Sequence, residues 1–407
     1  MRVKSLADRY RAVRAATEAL SAPLSDEDHM VQSMPDASPA KWHLAHTTWF
    51  FETFLLGAEP GYRAFDERWG FLFNSYYESL GERLARPSRG VLSRPALSEV
   101  RSYRAHVDER MARLLEARGD ELAPVAALGL AHEEQHQELF LTDVKHHLFA
   151  NPLRPAYLPP RARATVEAAR LEWRAFDGGV HEVGDDGRAF AFDNERPRHR
   201  TLLAPFALAS RLVTAGEYAA FIEDGGYSRP TLWLADGWDA ARAGAWTAPL
   251  YWERSDAGWT TFTLRGLRPL DPSEPLCHVS YYEADAFARW AGARLPTEHE
   301  WEVAAVPMPV AGNFADSGEL HPLPEGDAPH FYGNAWAWTQ SAYSPYPGYR
   351  PDAGALGEYN GKFMVNQLVL RGGSCATPPG HARATYRNFF APDKRWQFTG
   401  IRLAKDR

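Results

Sequence analysis

Two histidines four residues apart lie in a polar string, His132-Glu133-Glu134-Gln135-His136-Gln137-Glu138. On a helix, residues i and i+4 share one face, so two imidazoles there can converge on a single metal ion. A second string, Trp42-His43-Leu44-Ala45-His46-Thr47-Thr48-Trp49-Phe50-Phe51-Glu52, holds two more histidines at i and i+3. A histidine among tryptophans and phenylalanines is more often a hydrogen-bonded core residue than a ligand. Joined to the His132–His136 pair, however, one of them completes a three-histidine facial site across two helices. Such a site keeps positions open, which suits Fe(II) that must take O2 and a substrate together. Neutral imidazoles leave the ion its full positive charge, which favours an anionic thiolate or selenolate as a further ligand.

These histidines need helices to hold them, and residues 1–150 read as helical. Four segments carry the pattern: 4–20, stopped by Pro23; 39–56, opened by Pro39 and ended by Gly57; 97–118, followed by Gly119; and 122–149. A four-helix bundle with one long crossover follows. The crossover, 58–95, is rich in Gly, Arg and aromatics, and long loops inside compact domains are usually functional. Residues 151–168 are proline-rich and read as a linker. From 169 to 407 helical periodicity is brief (213–223, 281–292, 297–304), and short alternating runs are punctuated by Gly, Pro and Trp. That texture predicts an α+β domain with a small sheet. Thr297 and Glu300 form a capping-box pattern, and Gly372-Gly373 permits a tight turn. There is no internal repeat.

The bulk numbers agree with a two-domain globular protein. The chain has 407 residues, 45% hydrophobic and 24% charged, with a net charge of −7. No nucleic-acid or anionic-membrane partner is expected from that balance. Two cysteines, Cys277 and Cys375, do not make a disulfide framework and point to a reducing cytoplasm. The N-terminal stretch from Met1 lacks the apolar core of a signal peptide, and no run approaches the ~18 apolar residues of a membrane span. Aromatics reach 13%, with 14 Trp, as a loop-rich domain held by ring packing requires.

His46 with His132 and His136, the intervening Gln135, the loop Phe73-Asn74-Ser75-Tyr76-Tyr77, and Arg371-Gly372-Gly373-Ser374 with Arg387-Asn388-Phe389-Phe390 together resemble the ergothioneine-biosynthesis sulfoxide synthases. The resemblance covers nearly the whole chain. It implies an α+β architecture: an N-terminal DinB-like four-helix bundle and a C-terminal formylglycine-generating-enzyme-like domain with a C-type-lectin-like fold. It implies Fe(II) held by His46, His132 and His136, with His43 as the alternative first ligand. It implies O2-dependent joining of a chalcogen donor to the imidazole of hercynine, with Gln135 on the substrate imidazole. Where one branch of the family carries Asn-Trp-Asp, this chain reads Asn388-Phe389-Phe390. It thus resembles the branch that uses free cysteine and places a tyrosine pair at the iron, here Tyr76 and Tyr77, either of which would manage a proton.

The same loop supplies Arg83, Arg86 and Arg89. Arg86 is placed by its distance from the tyrosine pair to take the donor carboxylate. The wording Gly81-Glu82-Arg83-Leu84-Ala85-Arg86 departs from the family's Pro and His around the first Arg. That departure keeps open a close relative's activity, selenoneine synthesis from a selenosugar and hercynine. Further strings resemble successive signposts of the formylglycine-generating fold, among them Asn194-Glu195-Arg196-Pro197 and Gly333-Asn334-Ala335-Trp336-Ala337-Trp338, with Ala337 where the family has Glu. Copper-dependent relatives need a cysteine pair beyond the Gly-Gly-Ser turn. Here Thr377 and Ala382 stand in those places, so the domain is expected to wall the hercynine pocket, with Asn388, Phe389 and Phe390 facing the iron. Phe389 is placed to attract the trimethylammonium group through its ring face.

Two other classes compete. His132-Glu133-x-x-His136 literally matches the zinc pattern H-E-x-x-H, so a zinc-dependent DinB-type hydrolase or thiol transferase would use Glu133 as its base. A non-catalytic lectin-like binding module would hold no metal.

Overall fold

Ser5 opens the first helix. Its hydroxyl accepts the Asp8 N–H, and the Asp8 carboxylate accepts the Ser5 N–H in return. Helix α1 then runs Leu6–Ser21 and α2 Ala40–Phe54, followed by a short α3, Trp69–Phe73, and a long α4, Leu97–Ala150. The computed structural model describes residues 5–162, 166–326 and 330–407. Position 4 of the first expected helix and positions 163–165 of the expected linker lie outside the described residues. The chain divides into two units: Met1–Leu158 with Ala353–Tyr359, and Pro159–Asp352 with Asn360–Arg407.

In the first unit, α2 is apolar or aromatic on nearly every side, and every residue from Ala40 to Glu52 is buried. A helix without a polar face has to be the centre of its bundle. Within α4 the two expected segments 97–118 and 122–149 are two helices that meet at a kink at Arg118, whose φ of −137° and ψ of 28° are not helical. Arg104 and Glu133 nevertheless touch at 3.3 Å. A straight helix would hold residues 29 apart about 43 Å from each other. The chain therefore doubles back at Arg118, and α4 supplies two antiparallel arms of a four-helix arrangement with α1 and α2. Gly129, on the second arm, lets α2 approach closely: a Cβ there would stand 2.7 Å from the Phe51 ring and 2.8 Å from that of Phe50.

The second unit is built from small sheets and short helices. Strands Asn388–Phe390, Leu368–Arg371, Trp336–Ala342 and Thr399–Gly400 form its four-stranded sheet in that order. Trp173–Phe176, Phe206–Ala209 and Ala404–Asp406 form a three-stranded one. The expected helices appear at Ala215–Glu223, Tyr281–Trp290 and Glu298–Ala305; Ala235–Ala243 was not anticipated. Thr297 caps Glu298–Ala305 through the anticipated reciprocal bonds with Glu300. Gly372 and Gly373 have φ of 108° and 85°, and a Cβ on Gly372 would stand 2.8 Å from the Phe331 carbonyl oxygen. The α+β expectation holds. No helix among the described residues is long and apolar enough to cross a membrane.

Candidate metal and substrate site

The second arm of α4 carries His132 and His136 on one face. Residues i and i+4 on a neighbouring face, Glu133 and Gln137, turn to α1 instead. Glu133 is fully buried, and its carboxylate accepts from Thr17 Oγ1 (2.7 Å), Arg14 (2.9 Å) and Arg104 (3.3 Å). Burial opposes its ionisation, but the two guanidiniums outweigh that and hold the carboxyl down to about 2. Gln137 donates to the Val13 carbonyl and Thr17 Oγ1. Glu133 is thus the anion of a core ion-pair cluster, contrary to the base role that the zinc-hydrolase reading requires. The match to H-E-x-x-H is a coincidence of a metal-site face lying beside a packing face.

Helix α2 supplies the third imidazole. Ligand atoms of His46, His132 and His136 all lie within 4.8 Å of one another, the one His/Cys/Asp/Glu group able to hold a metal among the described residues. His46 Nδ1–H donates to the Phe73 carbonyl at 2.6 Å, which leaves the Nε2 lone pair pointing at His132 Nε2, 3.1 Å away. Nitrogens bound cis to one ion at about 2.1 Å stand about 3 Å apart, so this spacing fits a shared metal. His132 Nδ1 is buried without a hydrogen-bond partner. The His46 ring is clamped between Trp42 (4.4 Å, 14° between planes) and Trp49 (5.7 Å, 15°). Burial holds all three imidazoles neutral: His132 is lowered to about 3, and His46 and His136 are well below their usual value. Three neutral, preoriented nitrogen donors are what a divalent transition metal needs. His43, the alternative first ligand, has both nitrogens engaged elsewhere: Nδ1 with His136 Nδ1 (2.9 Å) and Nε2 with Asp143 Oδ2 (3.1 Å).

Around the triad stand groups that could bind or orient a substrate. The Tyr359 hydroxyl donates to Gln135 Oε1, and its ring meets His132 edge-on at 5.6 Å and Tyr76 at 5.9 Å. Tyr359 belongs to the first unit with Ala353–Tyr359, although 224 residues separate it from Gln135. It was missed in the sequence because nothing local marks it. Tyr76 and Tyr77 stack at 4.7 Å; Tyr77 is buried against Trp49 and Phe54. Burial raises both phenols, so both stay protonated.

The loop arginines separate by environment. Arg86 is exposed, and its carbonyl accepts from Gln32. Arg89 is 2% exposed, stacks over Trp42 at 3.4 Å, and donates to Ser38 Oγ and Ser75 Oγ. Its Nε is buried and unpartnered. Burial, then the nearby Arg86, lowers its guanidinium well below the usual value.

In the second unit, Asn388–Phe390 is a strand paired to Leu368–Leu370. Side chains alternate along a strand, so Phe389 points opposite to Asn388 and Phe390, and the three cannot all face one way as expected. Phe389 stacks on Tyr343 at 4.0 Å and 10°, while Phe390 meets Trp396 at 6.0 Å. The strand's lead-in, Arg387, is anchored to Glu298. Cys277 and Cys375 are buried and are not joined in a disulfide.

Fold and site together define a two-domain protein: a histidine-bearing helical bundle followed by a sulfatase-modifying-factor-type domain. Residues 9–140 match the DinB superfamily, and residues 175–323 and 326–407 match the sulfatase-modifying factor enzyme 1-like domain. A hercynine oxygenase of Mycobacterium tuberculosis is 33% identical, over 94% of this chain and 94% of its own. The ergothioneine biosynthesis protein 1 of Schizosaccharomyces pombe is 28% identical over 56% of this chain and 29% of its own length. A formylglycine-generating enzyme of Streptomyces coelicolor is 29% identical over 60% of this chain and 91% of its own. The chain belongs to the hercynine oxygenase family, which bears out the kinship and the two fold types expected from its motifs.

Proposed function

We propose that this protein is a non-heme Fe(II) enzyme that uses O2 to couple free cysteine to C2 of the hercynine imidazole, giving the cysteine sulfoxide conjugate. The observation that carries this reading is the convergence of three neutral imidazoles, the buried His46 and His132 and the half-buried His136, on one point. The relatives that act on hercynine supply the substrate. Fe(II) held there would activate O2 and bind the sulfur. Gln135, oriented by the Tyr359 hydroxyl, hydrogen-bonds the substrate imidazole; an amide does so without changing the ring's charge. Tyr76, against Tyr359 and Tyr77, is the proton donor at the reacting oxygen, and Tyr77 fixes its ring. In the second unit, Phe389 and Tyr343 stack as one aromatic plate.

Arg89 speaks for a donor that carries a carboxylate over a selenosugar, which has none. Its guanidinium is buried with hydroxyl and ring partners; among the described residues Asp143 is near enough to act on it, but no carboxylate is within ion-pair range. A donor carboxylate would supply the missing countercharge, with Arg86 on the exposed side. The test loads the protein anaerobically with Fe(II), then adds hercynine, O2 and, in parallel, cysteine, γ-glutamylcysteine or a selenosugar, with products read by mass spectrometry. A hercynine–cysteine sulfoxide is expected. A selenosugar adduct alone would move the function to selenoneine synthesis. No adduct from any donor would refute the coupling reading.

A further inference from the structure

His43 is buried at 3% exposure, and no part of the coupling reading uses it. It bridges two residues of α4 that lie seven apart, two turns along one face: His136 and Asp143. Asp143 is also buried, and its Oδ2 accepts the Ser38 N–H at 2.8 Å besides facing His43 Nε2 at 3.1 Å. A carboxylate opposite Nε2 requires the His43 proton to sit on Nε2. Its Nδ1 is then a lone pair, and the 2.9 Å contact with His136 Nδ1 requires His136 to carry its proton on Nδ1. His136 Nε2 is thereby left as a lone pair, available to the point it shares with His46 and His132. The three imidazoles are not equivalent in their support. His46 leans on a neutral carbonyl, His132 Nδ1 has no partner, and His136 is tied through a second imidazole to a carboxylate.

We propose that His43 and Asp143 are positioning residues, an Asp143–His43–His136 chain that sets the tautomer, ring orientation and donor strength of His136 as a metal ligand. The inference rests on the reading of His46, His132 and His136 as the metal site. Carboxylate character passed along the chain makes His136 the strongest donor of the three, as outer hydrogen bonds do for ligating imidazoles generally.

The experiment titrates substrate-free protein anaerobically with Co(II), reading affinity by chelator competition and the ligand field by visible absorption. Asp143→Asn keeps an acceptor oxygen for Ser38 and His43 but removes the charge; His43→Gln removes the imidazole link. Both variants are expected to bind Co(II) about 10–100-fold more weakly, with shifted ligand-field bands and an unchanged melting midpoint of the metal-free protein. His136→Ala is the reference for outright ligand loss. Wild-type affinity and spectrum in both variants, with His136→Ala impaired, would overturn the chain while leaving the triad intact. Weaker binding with an unshifted spectrum and a lower metal-free melting midpoint would reduce the two residues to fold support and also overturn it. Absence of Co(II) binding by the wild type would remove the triad reading and this inference with it. Should Asp143→Asn fail to fold, His43→Gln decides by the same two readings.

Discussion

Glu298→Gln tests whether the second unit stands on one buried anion. Glu298 begins the helix Glu298–Ala305, and its carboxylate takes Arg387 at 2.8 and 2.9 Å and Arg371 at 2.7 Å, with the Tyr346 hydroxyl at 3.2 Å. The side chains of Glu298, Arg371 and Arg387 are 4%, 0% and 1% exposed, so solvent screens little of this. Burial raises the Glu298 carboxyl, but Arg387 and Arg371 outweigh it and bring it from an ordinary 4.5 to about 2. At ~1.4 kcal/mol for each tenfold, the difference is on the order of 3 kcal/mol. Removing one member of a buried pair costs about 3–5 kcal/mol in general, which agrees. Arg371 keeps Glu302 at 3.1 Å, which places the expected loss at the lower end. For a unit of this size that lowers the melting midpoint by roughly 6–12 °C. The sign with pH follows from the depressed value: the folded state binds fewer protons than the unfolded one. The stabilisation is complete above about pH 4.5 and is lost as pH falls toward 2. Wild type and variant, melted from pH 7 to pH 3 by circular dichroism, should therefore differ fully at neutral pH and converge in acid. A variant within ~1 kcal/mol of wild type at pH 7, or a gap that stays constant down to pH 3, would refute the reasoning.

Glu133→Gln should lower the stability of the first unit by about 3 kcal/mol, because Arg14 and Arg104 lose a buried countercharge. The folded variant should keep Co(II) affinity within about threefold, checked by denaturation and titration together; loss of metal without loss of stability would contradict the assignment. Arg89→Met should raise the KM for cysteine about 10–100-fold, the loss of one or two charge-assisted hydrogen bonds, while Arg86→Ala raises it less. Steady-state kinetics on the two variants check this, and the reverse order would place the carboxylate at the exposed arginine.

Much of the first unit was legible because its signals are local. Pro39 and Gly119 act within one turn, as Thr297 with Glu300 does in the second unit, and helix geometry alone sets His132 above His136. The break at Arg118 was visible through Gly119, but not that the second helix folds back along the first.

What the sequence by itself determined was the pair of fold types, the i, i+4 imidazole face, and the tyrosine and arginine loop near it. Tertiary structure alone decided the rest, for one physical reason. Each open choice depended on a partner distant in sequence and close in space. His43 and His46, three residues apart, differ only because Asp143 lies beside one and His132 beside the other. Glu133 is a structural anion rather than a base because Arg14, more than a hundred residues earlier, ends against it. Tyr359 reaches Gln135 only because the segment Ala353–Tyr359 returns to the helical unit. Arg89 and Arg86 carry the same charge, and burial over Trp42 is what separates them.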